Sequence, residues 1–285
     1  MDEVFHYFSR TLLMTFQQLL ILAGPALLFG FAMNCLAVSV ERQAYALFGR
    51  RAYLLLFGWL GTSVHELSHA LFCVLFLHRI LAMKLFDPDP RAGTLGYVRH
   101  AFNPHSWYQV IGNLFIGIGP VVIGSLLVYA TAKWFAGADP IPTIDNLYAS
   151  PSGLQTQGML AAFFSPFLAA QQSLASLFTL RHLVDWRFYL FAYLAFAIGG
   201  SVRLSRSDIN GAARGFAAIL GILIMVSLCT AWLPDDVLAQ ISRVLTRFST
   251  ALCSVMLFSL LLNLMALGAL AIFAYLLRPV KFGFR

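Results

Sequence analysis

Residues 61–79 read Gly-Thr-Ser-Val-His-Glu-Leu-Ser-His-Ala-Leu-Phe-Cys-Val-Leu-Phe-Leu-His-Arg, and here His65, Glu66 and His69 interrupt an apolar run from about Tyr53 to Leu77. A helix over that run is long enough to cross a bilayer at ~20 residues per span. An ionisable residue near the centre of such a helix costs about 2.5–3.5 kcal/mol on insertion scales, so three within five residues require a compensating interaction. Metal ligation is one. Helical residues four apart share a face, about 6 Å apart at Cβ, so both imidazoles can reach one tetrahedral Zn²⁺. Glu66 then stands beside the metal rather than on it, placed to take a proton from the metal's water. With seven His in the chain and Glu only at positions 3, 41 and 66, chance supplies this His-Glu-x-x-His pattern on the order of 0.002 times. The alternative reading is structural, with the histidines hydrogen-bonding neighbouring helices.

Composition points the same way. With 60% hydrophobic and 11% charged residues over 285 positions, the chain is expected to be an all-α polytopic membrane protein, multi-pass and forming a single membrane-embedded domain over 1–285. Met1 to Arg10 carries Asp2 and Glu3, and the apolar run after it reads as a retained span rather than a cleaved leader. The net charge of +7 comes from Arg and Lys at helix ends, which suits anionic headgroups and gives no basic stripe for nucleic acid. Cys35, Cys73, Cys229 and Cys253 lie in apolar stretches at no metal-like spacing, as small core residues do.

About six spans are expected: Leu19 to Val40, the zinc-motif helix, Tyr108 to Trp134, Phe188 to Val202, Gly211 to Trp232 and Leu252 to Leu277. Gly24-Pro25 and Gly30 are sites of kinking or close packing. Residues 135–157 form a solvent loop. Residues 158–180, interrupted by Ser165-Pro166 and Gln171-Gln172-Ser173, either cross the bilayer, re-enter it or lie at its surface. Between His78 and His100 the pattern changes: Met83 to Phe86 alternates, Asp87-Pro88-Asp89-Pro90 reads as a turn, and Gly93 to His100 is extended and Gly-rich. This is a short membrane-associated β-hairpin whose edge could receive a substrate strand, or else an ordinary interfacial loop. If 158–180 does not cross, the segments 1–14, 79–107, 203–214 and 278–285 share one side and hold eleven of the nineteen basic residues. That puts the hairpin and the site toward the cytoplasm, with a bacterial inner membrane as the expected location.

A catalytic zinc takes three protein ligands and keeps one open position. Donors of the right kind are Asp208, Asp185, Asp87, Asp89, His78, His100 and His105. Asp87 and Asp89 suit a solvated turn, and Asp185 lies between Arg181 and Arg187 as an ion-pair partner. Asp208, opening a later span, is either the third ligand or an N-cap. Asn113, in the Gly-rich stretch Gly112 to Pro120, is a buried amide needing partners. With His100 and Tyr97 it is a candidate to hold a substrate backbone or an oxyanion.

His65-Glu66-Leu67-Ser68-His69-Ala70 in a membrane helix, the Gly- and Asn-bearing third span and an Asp opening a later span together resemble the site-2 protease (M50) family of intramembrane zinc metalloproteases. The resemblance covers about residues 52–130 and 200–215. It implies a metalloprotease core over about 52–215 flanked by helices 15–40 and 250–278, with one catalytic Zn²⁺ on His65, His69 and Asp208, and Glu66 as general base. It implies hydrolysis of peptide bonds in membrane-spanning proteins within or near the bilayer. Where the family has glycine directly after the Asp, this chain has Ser-Asp-Ile-Asn-Gly. Two other functions share the motif or the fold: a zinc hydrolase acting on lipid or lipid-linked substrates, and a non-catalytic pseudoprotease that binds membrane helices. A metal transporter would show repeated halves, and the sequence has no such internal echo.

Overall fold

A computed structural model of the chain describes residues 2–88, 95–137, 167, 170–230, 233 and 235–277. The chain is mostly helical. Helix α1 (Asp2–Phe48) ends at Gly49, whose φ of 78° suits only glycine. The helical path then resumes as α2 (Arg50–Tyr53), a π-helical turn (Leu54–Gly58) and α3 (Trp59–Leu75). Strands β1 (Arg79–Lys84) and β2 (Tyr97–Ala101) follow, then α4 (Trp107–Ala136). Next come α5 (170–177), α6 (Leu180–Val184), α7 (Trp186–Gly199), α8 (Arg206–Thr230) and α9 (Asp235–Leu276).

The expected hairpin is present as an antiparallel pair, Lys84 opposite Tyr97 and Arg79 opposite Ala101, with an irregularity between Ile80 and Ala82. Asp89 and the rest of its turn to Thr94 lie outside the described residues. So do most of the expected solvent loop and residues 158–166, 168 and 169 of the ambiguous segment. The described part of that segment, α5, buries Ala170 and Leu177 in a core with Val128 and Ala132 of α4 and Phe188 and Phe191 of α7. The kink expected at Gly24-Pro25 is not a break, since α1 is helical throughout that stretch.

Among the described residues three helices are long and apolar enough to cross a membrane: Trp107–Phe135, Arg206–Thr230 and Arg247–Leu276. Helix α4 is the post against which α3, α7, α8 and α9 pack. Its ends are set by local chemistry, Ser106 accepting from the Gln109 amide at the start and Gly137, at φ 62°, closing the end.

The two apolar runs expected as separate spans, Phe188 to Val202 and Gly211 to Trp232, lie one after the other along this post. Ile198 and Val202 pack at Gly124, Asp208 and Ala212 at Gly117, and Gly215 at Ile111 and Leu114. As the chain number rises through α7 and α8 it falls along α4, so the two helices run antiparallel to it as one interrupted column. The interruption, residues 200–205, sits level with the middle of α4 near Val121, which shares a cluster with Val202. The polar text of 203–214 gave the appearance of a loop between spans. From Arg206 onward it is instead the start of a helix pressed against glycines.

At Gly117 the fit leaves no room. A methyl group there would collide with the Asp208 carbonyl and meet the Ala212 side chain at 2.8 Å. Gly117→Val should therefore lower the midpoint of thermal unfolding in detergent by several degrees, the effect of about 1–3 kcal/mol of overpacking. An unchanged midpoint would refute this packing of α8 on α4.

Candidate metal centre

Helix α3 carries His65, Glu66 and His69 inward, with Glu66 and His69 at 7% and 5% exposure. Each imidazole is oriented by a backbone carbonyl. His65 Nδ1 lies 2.8 Å from the Ser201 oxygen and His69 Nδ1 lies 2.7 Å from the Ile116 oxygen. A carbonyl only accepts, so in both rings Nδ1 carries the hydrogen and donates it. A neutral ring then presents a bare lone pair at Nε2. The two Nε2 atoms face each other at 3.1 Å.

Two opposed lone pairs at that distance repel unless a cation lies between them. Asp208 supplies the next donor: its Oδ1 is 3.6 Å from His69 Nε2, and one ligand atom from each of His65, His69 and Asp208 falls within 4.8 Å of the others. Tetrahedral zinc with two nitrogens at 2.0–2.1 Å sets them about 3.3 Å apart. The donor set of two imidazoles and a carboxylate, with both ring N–H groups donated to backbone oxygen, could hold a divalent metal ion.

The structure joins the two readings of Asp208. Ser205 is the N-cap of α8: its Oγ accepts from the Asp208 amide at 3.2 Å, and Asp208 Oδ2 accepts from the Ser205 amide at 2.7 Å. This is a reciprocal capping box. One carboxylate oxygen caps the helix while the other faces the histidines, so capping and ligation are compatible roles of one side chain.

The break between α7 and α8 thus delivers two parts of the centre, the Ser201 carbonyl and Asp208. Helix α1 holds it from outside. Asn34 Oδ1 accepts from the Leu204 amide at 2.9 Å, and Arg203 pairs with Glu41 at 3.0 Å. Glu41 accepts from the Tyr45 hydroxyl as well, at 2.7 Å. Sequence reading missed these residues and both carbonyls. A backbone oxygen leaves no trace in composition, and polar residues scattered through an apolar helix read as tolerated exceptions.

Glu66 lies under the hairpin. A Cβ built at Gly96 would be 2.9 Å from Glu66 Cγ and 2.7 and 2.9 Å from the Leu85 and Lys84 carbonyls. Only glycine lets β2 approach the glutamate this closely. Tyr97, the next residue, is half-buried beside it. Asn113 is buried, but its amide turns back to the Gln109 and Val110 carbonyls at 3.4 and 3.3 Å.

The other donors have separate duties. Asp185 caps α7, accepting from the Arg187 amide at 2.9 Å, rather than serving as the expected guanidinium partner, because that helix start exposes unpaired N–H groups. Asp87 pairs with Lys84 in an exposed turn at 2.5 Å, His105 is exposed, and Asp89 lies outside the described residues. No family model, curated protein or solved structure matches this chain.

His78 and His100 form a second pair, clasping the hairpin to α4. His78 is buried and stacked on Phe102; its Nε2 donates to the Gln109 carbonyl at 2.7 Å, leaving its Nδ1 to accept from His100 Nδ1 at 3.0 Å. Burial pushes both groups below the ordinary histidine value; for His100 the neighbouring His78 and His69 add to this and Asp208 opposes it. A depressed folded value means that stability from the neutral pair is fully present above the unfolded value, about 6.5, and is lost as pH falls through the folded one. Amide exchange in β1 and β2, corrected for intrinsic rate, should therefore be faster at pH 5 than at pH 7.5. A hairpin equally protected at both would contradict the clasp.

Proposed function

We propose that this chain is an intramembrane zinc metalloprotease of the site-2 protease kind, hydrolysing peptide bonds of membrane-protein substrates within or near the bilayer. The observation that carries the reading is the pair of Nε2 lone pairs 3.1 Å apart with a carboxylate oxygen beside them. His65, His69 and Asp208 would hold the ion, which when bound supplies a Lewis acid and lowers the pKa of water toward 7. Glu66 receives the proton of the attacking water and returns it to the leaving amine. Its burial under Gly96 limits the solvent around that transfer. The hairpin beside it offers a sheet edge to which an extended substrate segment adds by backbone hydrogen bonds, and such recognition requires an unwound stretch of the substrate helix. His100 and Tyr97 lie on that hairpin and are the groups nearest at hand to orient the added strand, while Asn113 is occupied with its own helix.

The protein is read as multi-pass, with α1, the column from Arg50 to Leu75, α4, α7 together with α8, and α9 as its passages. This reading has five passages where six were expected, because it takes α7, at 14 residues, and α8 as one interrupted column. Non-helical backbone at that depth is tolerated only where protein surrounds it or water reaches it, and a hydrolytic centre needs water. Residues 203–214, placed with the cytoplasmic loops on sequence grounds, thereby leave the count of basic loop residues, which then favours neither side.

The test is reconstitution of the purified protein with single-pass substrates in vesicles, with metal content measured in parallel. Glu66→Gln should slow cleavage by about 10²–10⁴-fold while keeping zinc. His65→Ala should lose the metal, and Asp208→Asn should reduce it. Cleavage retained by the Gln variant defeats the hydrolase reading, and full zinc in Asp208→Asn assigns the third position to another group. Altered lipid headgroups with intact proteins would instead identify the lipid hydrolase.

A further inference from the structure

Resting on that metal reading, we infer that Pro120 is a positioning residue for His69: by withholding a backbone N–H it frees the Ile116 carbonyl to orient the imidazole. In an α-helix the carbonyl of residue 116 accepts from the N–H of residue 120. Here residue 120 is proline, inside α4, and has no N–H to give. The carbonyl left over is the one His69 Nδ1 approaches at 2.7 Å, between two helices and out of water. Pro120 is itself fully buried, beside Val121 in the core shared with Val202 and Met256.

The same logic governs the other ring. The Ser201 carbonyl that takes the His65 hydrogen at 2.8 Å would, in a continuous helix, accept from the amide of residue 205. That amide goes instead to Asp208 Oδ2. Each imidazole is therefore oriented by a carbonyl that an interruption in a neighbouring helix releases, the proline in one case and the α7 to α8 break in the other. An uninterrupted α4 would share the Ile116 oxygen with its own ladder and weaken its hold on His69, favouring rotation or the other tautomer, which blocks Nε2 as a ligand.

Proline is unfavourable in a helix interior and alanine is the best helix former, so Pro120→Ala separates a positioning role from a structural one. With full-length protein in detergent, cobalt(II) is titrated and followed by its visible d–d absorption, and thermal unfolding of the metal-free protein is measured alongside. Pro120→Ala should weaken cobalt binding about 10–100-fold and alter the band intensities, the usual consequence of losing a ligand's outer partner, while the unfolding midpoint stays level or rises. Pro120→Gly, which restores the same N–H but is a poorer helix former than alanine, should lose cobalt affinity to a similar degree with a midpoint below that of Pro120→Ala. Wild-type affinity and spectrum in Pro120→Ala overturn the inference, as does a loss confined to Pro120→Gly, since affinity would then follow helix stability. A wild-type protein that binds no cobalt overturns the metal reading itself, a result distinct from either.

Discussion

Two imidazole rings whose Nδ1 hydrogens go to backbone oxygen, and whose bare Nε2 atoms then meet at 3.1 Å, define a place suited to a cation. Most of what is unusual in the fold follows from arranging that meeting in an apolar bundle. A histidine on a buried helix has no water to fix its tautomer, so a protein acceptor must do it. In regular helices the interior carbonyls are already engaged by the N–H four residues on, so a carbonyl released from that bond is the freer acceptor. The acceptors here come from the proline of α4 and from the end of α7. Irregularity in the neighbouring helices is thus the source of order at the centre.

An interrupted column is costly unless its loose backbone groups find partners. At residues 200–205 they do. The Gly200 and Ser201 amides fold back on Phe196 and Ile198, the Leu204 amide goes to Asn34, and the Ser205 amide goes to Asp208. The charge introduced by Arg203 is met by Glu41, which the Tyr45 hydroxyl also supports. Breaking one member of such a network leaves its partners unmatched, so α1 is coupled through Leu204 and Arg203 to the segment that leads into Asp208. A helix that reads in the sequence as a plain flanking span has become part of the frame of the centre.

How far the sequence could be read divides along a physical line. Side chains at a fixed helical spacing announce themselves, and His65, Glu66 and His69 are found where that spacing puts them. The hairpin was legible because alternation and glycine mark extended chain. Asp208 was one of several donors in the text, and the fold brings it beside the histidines by seating Gly117 against its backbone. Less was visible where depth decides. The stretch from Arg203 to Arg214 is polar enough to be a loop, yet partners on α1 and glycines on α4 draw it into the bundle and join two runs into one column. Pro120 was in plain sight in an apolar run, but its effect is the absence of a hydrogen on an atom four residues from the carbonyl that matters.

Two cations could sit between the rings, and each goes with a different protonation state of Glu66. A shared proton turns one imidazole into a cation, and the single positive charge is answered by Asp208 alone. Glu66, buried in the next position on α3, would then be an unanswered carboxylate if ionised, the most costly kind of group to bury. A divalent ion brings two positive charges against the two carboxylates of Asp208 and Glu66, and the cluster sums to zero with both acids ionised. Only in that state is Glu66 free to accept a proton. On the proposed reading, the arrangement that neutralises the pocket with both acids ionised is also the one that leaves Glu66 able to take a proton, which is the physical reason to read the glutamate and the histidine pair as one device.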